Sequence, residues 1–417
     1  MSDAKSFDTT FLDTANAIGE RLCRDVIWAG GRCNWLGDAM EYVDRRWQVG
    51  HRAFGPDLYG GVSGIGLFLA QLFSHTQEKT FKKTALGAVE CGLSQLERFN
   101  AHRDFGFYSG LTGLAFALIE VGDLLDQQQL VERGLRTLET IPREGLTSQT
   151  WDIVSGSAGV IPVMLKIHGR YGQDFLLDVV FQHGEMLLGS ANRSEDGWSW
   201  KTIQGPEQRD LTGFSHGAAG IAWAFLELHR KFNDQKFLQA AQEALRYERR
   251  WFDPQQENWP DFRFDDEAGN APGFSAAWCH GAPGIGLSRV RAYQILQDAT
   301  CRAEAEAALR TTTRNLQASL QSGQGNYSLC HGNCGNAELL IYASDVLPHN
   351  DSLKIIREVA EDGVRKYRME RNPWPCGVLN GGETPNLMLG LAGIGYFYLR
   401  MHDRKKVPSV LIVGPES

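Results

Sequence analysis

Two Cys-His-Gly triplets, Cys279-His280-Gly281 and Cys330-His331-Gly332, are the residues of this chain best suited to chemistry. Thiolates and neutral imidazoles are ordinary zinc ligands, and each triplet immediately precedes an apolar stretch with helical spacing. Ser215-His216-Gly217 repeats the placement one segment earlier, and Asp152 stands four residues before Gly156 one segment earlier still. Asp, His, Cys-His and Cys-His thus fall at nearly one level of four consecutive segments. A helix start favours the thiolate that a metal needs. Two such thiolates with one or two imidazoles make a zinc site. Three protein ligands would leave a vacant position, as in catalytic zinc; a closed structural site would need His280 or Cys334 as well. His216 lies in register to exchange a proton with a group at the metal. Asp152 beside it would orient the imidazole and raise its pKa, or else cap a helix.

The other thiols and imidazoles carry less. Cys23, Cys33, Cys91, Cys301 and Cys376 read as buried apolar filler. His51, His75, His102, His168, His183, His229, His349 and His402 read as core or surface residues.

The elements that must position these groups come from a seven-fold repeat. A G-x-x-G followed by an apolar segment recurs from Gly61, Gly110, Gly156, Gly217, Gly281, Gly332 and Gly390. It accounts for many of the 46 glycines among 417 residues. Between the repeats lie one-sided stretches such as QEKTFKKTALGAVECGLSQLERF, where Phe81, Leu86, Val89, Leu93 and Leu96 recur every three to five residues. That is an amphipathic helix, whereas the G-x-x-G segments are apolar nearly all round and so buried. The expected fold is all-α, an α/α toroid or double-layered barrel of seven inner and seven outer helices. A helical segment over 1–50 would join the outer layer, the toroid would run over 51–405, and a C-terminal tail would occupy 406–417. The glycines allow sharp turns and close approach, and they are expected to leave unpaired helix-start N–H groups at one mouth. Strand signals are weak; the β-branched SVLIV near the C-terminus is expected to pair locally at most. The loops GWSW at 197–200 and NWPDF at 258–262 either border the mouth or pack structurally.

An apolar fraction of 42% supports a large core, and a formal charge of −8 argues against nucleic acid as the main partner. MSDAKSFDTT has no basic patch followed by an apolar core, so no secretory signal is expected. Apolar runs such as Ile65 to Phe73 are too short for a transmembrane segment. Eight cysteines without an export signal point to reduced thiols and a cytoplasmic protein.

The seven G-x-x-G helices, with WDIVSGSAG, GFSHGAAGIA, AWCHGAPGIG and LCHGNCGNAELL, resemble the lanthionine synthetase C-like (LanC-like) family over roughly residues 50–405. The ending NLMLGLAGIGYFYLRM, then KKVPSVLIVG, is similar to the C-terminal cyclase domain of class II lanthipeptide synthetases. Those proteins carry a dehydratase domain ahead of the cyclase. A free-standing cyclase or an excised domain, served by a separate dehydratase, is therefore expected. The resemblance implies Zn2+ held by Cys279, Cys330 and His331, with a substrate cysteine as fourth ligand. It implies a lanthionine synthetase: the thiol adds to dehydroalanine or dehydrobutyrine in a dehydrated precursor peptide, giving lanthionine or methyllanthionine. His216 would move the proton and Asp152 would support it. One departure stands out. Free-standing members tend to carry Tyr after the zinc cysteine and Arg shortly before it, where this chain has His280 and Ser275-Ala276-Ala277. His280 is a candidate to stabilise the enolate, or it packs. Competing readings are addition of a small thiol such as glutathione, and a zinc-stabilised peptide-binding scaffold without turnover. A toroidal glycosidase is disfavoured because these helix starts present Cys and His rather than paired carboxylates.

Overall fold

The computed structural model describes residues 2–43, 46–146, 150–203, 209–264, 272–347 and 350–414. His349 and residues 415–417 of the expected tail lie outside them. Helix α1 (Ser2–Arg24) is followed by two antiparallel hairpins, β1 (Ile27–Ala29) with β2 (Arg32–Asn34) and β3 (Leu36–Val43) with β4 (Arg46–Ala53). Helices α2 (Val62–Thr76), α3 (Lys79–Leu93), α4 (Leu111–Leu124), α5 (Gln128–Glu139), α6 (Ser157–Tyr171) and α7 (Asp174–Gly189) come next. A short hairpin, β5 (Asn192–Ser194) with β6 (Gly197–Ser199), separates them from α8 (Ala218–Phe232) and α9 (Gln235–Trp251). The series ends with α10 (Ala282–Leu296), α11 (Ala299–Ser322), α12 (Asn333–Ala343), α13 (Asn350–Gly363) and α14 (Leu391–Asp403).

Even-numbered helices form the inner ring, and each packs against the odd-numbered helix that follows it; α14 takes α1 as its outer partner. The expected seven-by-seven toroid is what the chain forms. Along α2 every residue from Val62 to Leu72 is buried, and Leu111 to Gly122 of α4 likewise, as all-round apolar composition requires. No helix among the described residues is long and apolar enough to cross a membrane.

The second glycine of each repeat has a common steric reason. A Cβ there would meet the backbone carbonyl six residues earlier, at 1.8 Å for Gly113 against Phe107 and 1.9 Å for Gly284 against Trp278. The loop before each inner helix therefore folds flat onto that helix's first turn. This closeness also corrects one expectation, because the first helical N–H is not left open. Val62, Leu111, Ser157, Ala218, Asn333 and Leu391 each donate to the carbonyl seven residues back, from Gly55 to Thr384. In the fifth repeat Gly281 turns at φ 88°, and the Ala282 N–H goes instead to the Asn258 side chain at 2.8 Å. Asn258 and Trp259 of the NWPDF loop are thus structural here, with Trp259 fully buried.

Two further segments depart from expectation. Among the described residues of 1–50 the helix extends only to Arg24; Gly30 and Gly31, both at positive φ, turn the first hairpin, and the second pairs Leu36–Val43 with Arg46–Ala53. The tail does not pair as a strand. Val407, Val410, Leu411 and Val413 are buried in the core, and the segment runs up the bore of the ring. Its carbonyls at Pro408, Val410 and Leu411 accept from Tyr396 (2.9 Å), Tyr108 (2.6 Å) and Trp278 (3.0 Å). A buried carbonyl needs such donors, and apolar side chains fill the bore that an empty ring would leave.

Candidate metal centre

The residues two positions before each first glycine, with Ile153 one position earlier in the third repeat, lie side by side around one mouth and are joined by main-chain hydrogen bonds. Tyr59 donates to Tyr108 (2.9 Å), Tyr108 to Val154 (2.9 Å), Ile153 to Ser215 (3.1 Å) and Ser215 to Cys279 (3.2 Å). Cys279 donates to Cys330 (3.3 Å), Cys330 to Met388 (2.9 Å) and Met388 back to Tyr59 (3.0 Å). The belt is closed, and it places Cys279 next to Cys330 although 50 residues of sequence separate them (280 to 329).

Cys279 Sγ, Cys330 Sγ and a ring nitrogen of His331 all lie within 4.8 Å of one another. His331 Nε2–H donates to the Gly377 carbonyl at 2.8 Å, which leaves Nδ1 with its lone pair. Two sulfurs and one oriented imidazole are a donor set that fits zinc. A hydrogen bond from the Cys330 thiol draws the Cys279 pKa below its ordinary value, against the opposing effect of burial. The same bond, with burial, pushes Cys330 well up, so the pair gives up its first proton readily and holds the second. Among the described residues neither His280 nor Cys334 joins the trio, so the closed four-ligand alternative is not formed.

His216 Nδ1 is 2.7 Å from Asp152 Oδ2, and Asp152 Oδ1 accepts the Ser155 N–H at 2.7 Å. Burial pulls the His216 pKa down, but the Asp152 charge and hydrogen bond outweigh it and hold the imidazole above its ordinary value. Asp152 therefore does more than cap a helix. His280 stacks on His216 with ring centroids 5.8 Å apart. It is only 1% exposed, and among the described residues neither ring nitrogen has a hydrogen-bond partner, Asp261 Oδ1 standing 3.7 Å from Nδ1. Burial first, then the nearby Arg263 charge, lower its pKa to about 3, so it is neutral.

Two contributors, Arg263 and Tyr59, were not singled out in the sequence, and a third, Asp261, lies in the NWPDF loop noted there for its aromatics alone. Arg263 is held by Asp261 through Nε (2.9 Å) and Nη2 (2.7 Å), and its charge acts on both cysteines and all three site imidazoles. Asp261, itself buried, also accepts from Ser275 Oγ at 2.7 Å. These two come from a loop outside the repeat register, so no spacing signals them. Tyr59 does lie in register. With Met40 and Arg52 of the β3–β4 hairpin, it joins His216, Cys279 and Cys330 in lining one cavity of about 410 Å³.

A closed α/α ring with a Cys-Cys-His trio at its mouth defines a LanC-like protein. The chain belongs to that family, for the model described as lanthionine synthetase C-like protein matches residues 53–412. It is similar to the lacticin 481/lactococcin biosynthesis protein LcnDR2 of Lactococcus lactis subsp. lactis, 23% identical over 390 residues. That match covers 91% of this chain but 39% of the relative, so the chain spans well under half of that protein. The nisin biosynthesis protein NisC of the same organism is 24% identical over 309 residues, 67% of this chain and 71% of NisC. Glutathione S-transferase LANCL1 of Danio rerio is 24% identical over 294 residues, 67% of each. The solved nisin cyclase superposes with a TM-score of 0.64 at 19% identity, over 85% of this chain and 91% of its own, and so shares the fold.

Proposed function

We propose that this chain is a zinc-dependent cyclase that closes lanthionine and methyllanthionine rings in a dehydrated precursor peptide. One observation carries the reading: Cys279 and Cys330 of the trio line the same cavity as His216, which Asp152 holds from behind. Zinc bound there would supply a Lewis acid that lowers the pKa of an incoming cysteine thiol. The peptide sulfur then bonds to the β-carbon of a dehydroalanine or dehydrobutyrine. The C=C electron pair moves onto the carbonyl oxygen as an enolate, and a proton delivered to the α-carbon completes a mass-neutral addition. His216, kept basic by Asp152, takes the thiol proton and returns it at the α-carbon. Arg263 places positive charge near the developing enolate, while neutral His280 can donate from a ring N–H. The dehydrated peptide would come from a dehydratase acting beforehand.

A small thiol such as glutathione in place of the peptide cysteine is the second reading, supported by Met40 and Arg52 of the β3–β4 hairpin lining the cavity. A scaffold without turnover would have no use for the Asp152–His216 pair. The test is incubation of the zinc-loaded protein with a dehydrated lanthipeptide precursor, followed by thiol alkylation and mass analysis. Ring closure leaves the peptide mass unchanged and removes alkylatable thiols. A glutathione adduct on the peptide would favour the second reading, and persistence of every thiol and dehydro residue would sink both.

A further inference from the structure

We infer that Asp57 binds the substrate peptide, its second carboxylate oxygen accepting hydrogen bonds from main-chain N–H groups of the segment that enters the cavity. This rests on the reading above, in which a dehydrated peptide occupies that cavity. Asp57 stands four residues before Gly61, just as Asp152 and Asn386 stand four before Gly156 and Gly390. All three side chains close the same local turn. Asp57 Oδ1 accepts the Gly60 N–H at 2.7 Å, Asp152 Oδ1 the Ser155 N–H at 2.7 Å and Asn386 Oδ1 the Leu389 N–H at 2.8 Å. In each aspartate one oxygen is thereby committed to the fold, and the other is left for a neighbour.

What that neighbour is differs between the two aspartates. Asp152 Oδ2 takes the imidazole of His216, which stands one residue before the first glycine of the following repeat, at 2.7 Å. The equivalent of His216 for Asp57 is Ser109, one residue before Gly110, but its hydroxyl donates to Ser155 Oγ at 2.9 Å instead. Among the described residues no side chain bonds to Asp57. Its Oδ2 lies over Gly55, where a Cβ would stand 3.3 Å from it. Asp57, Gly55 and Ser109 line the cavity that His216 and the two cysteines share, and Asp57 is the only carboxylate among the described lining residues. A half-buried carboxylate oxygen beside a cavity calls for donors. Arg52 on the same wall is engaged by Glu41 at 3.1 Å, and its charge disfavours a second cation. Neutral main-chain N–H groups meet both conditions, and every peptide residue except proline offers one.

Asp57→Asn is the variant to test, because Asn386 shows that an amide keeps the turn bond, while the open oxygen becomes an N–H donor that repels the peptide. The probes are a synthetic peptide with one dehydroalanine and one cysteine, its unreactive analogue with alanine for dehydroalanine, and versions of that analogue N-methylated at one amide each. Zinc-loaded Asp57→Asn is expected to keep wild-type zinc content, thermal midpoint and kcat. Its KM for the peptide and Kd for the analogue should rise about tenfold or more, as for loss of a hydrogen bond to a charged group. One N-methylated analogue should bind wild type as poorly as the parent binds the variant, and should bind the variant no worse still. Unchanged KM and Kd in Asp57→Asn would overturn the inference, as would a fall in kcat alone. N-methylation that weakens both proteins equally at every amide would overturn it too, by tracing the loss to crowding. Asp57-dependent binding of the analogue by a wild type that closes no ring would uphold the inference and sink the cyclase reading.

Discussion

The two ends of the toroid are built from the same seven helices and have opposite characters. At the N-terminal mouth Cys279, Cys330 and His216 line a cavity, with His331 beside the two sulfurs and Asp152 bonded to His216. In the C-terminal halves of the inner helices the charged groups are instead matched and enclosed. Glu227 accepts from Arg291 at 2.6 Å, and Glu120 pairs at 3.1 Å with Arg170, whose outer part reaches the surface. Arg400 of α14 clasps Glu338 of α12 at 2.6 and 2.8 Å, all within a few per cent of full burial. The tail fills the space between these ends. A repeat protein can thus separate tasks along its axis: rigidity comes from saturated pairs at one end, chemistry from groups left with capacity at the other.

The sharpest break of this contrast is at the reactive end. Cys279→Ala or Cys330→Ala should abolish both zinc binding, near one ion per chain in wild type, and ring closure, without unfolding the protein. Metal analysis after desalting decides it, and retained zinc in either variant would remove the basis of the assignment. Next in size, His216→Ala should keep zinc and slow thioether formation by about 10²–10⁴-fold, the usual worth of a positioned acid–base. Single-turnover assays with equal zinc loading would measure this.

At the sealed end the expected loss is stability rather than rate. Arg400→Met strands a buried carboxylate and should cost about 3–5 kcal/mol. Combining it with Glu338→Leu should recover much of that, and zinc stoichiometry should be untouched in both. Denaturant midpoints test this, and a double variant no better than the single would argue against a paired charge.

A smaller effect is set by pH. His183 lies fully buried between Ser157 Oγ (3.0 Å) and the Pro142 carbonyl (3.2 Å), and burial lowers its pKa from 6.5 to about 4. The unfolded chain therefore takes up a proton near pH 6.5 that the native state refuses. Stability is unaffected well above that pH and falls as pH drops from 6.5 toward 4. At pH 5 the loss is on the order of 2 kcal/mol, from ~1.4 kcal/mol per unit. His183→Gln should flatten this slope between pH 7 and 5 whatever it does to absolute stability. Smallest of all, Gly169→Ala in α6, where an added Cβ meets nothing within 4 Å, should stabilise by up to about 1 kcal/mol. A fall in thermal midpoint would show the site is not open.

Much of this was legible because the ring repeats itself. The carbonyl six residues before each second glycine leaves no room for a side chain, so G-x-x-G marks every inner helix. The same register aligned Asp152, His216, Cys279 and Cys330 on paper as the belt aligns them in space. What escaped lies outside that register. Asp261 and Arg263 reach the site on a connecting loop, and residues 27–53 alternate too briefly to announce two hairpins. SVLIV is apolar enough for a strand or for a bore, and only donors such as Tyr108 and Trp278, distant in sequence, decide for the bore. Tyr59 was visible in register, but a phenol there signals nothing until the cavity it lines is known.

The closed belt has a temporal consequence. Cys330 is tied on one side to Cys279 and on the other to Met388, and Met388 is tied to Tyr59 near the start of the chain. During synthesis this ring of main-chain bonds can therefore close only after the last repeat has emerged and Met388 has met Tyr59, so the belt is the last feature of the mouth to be completed.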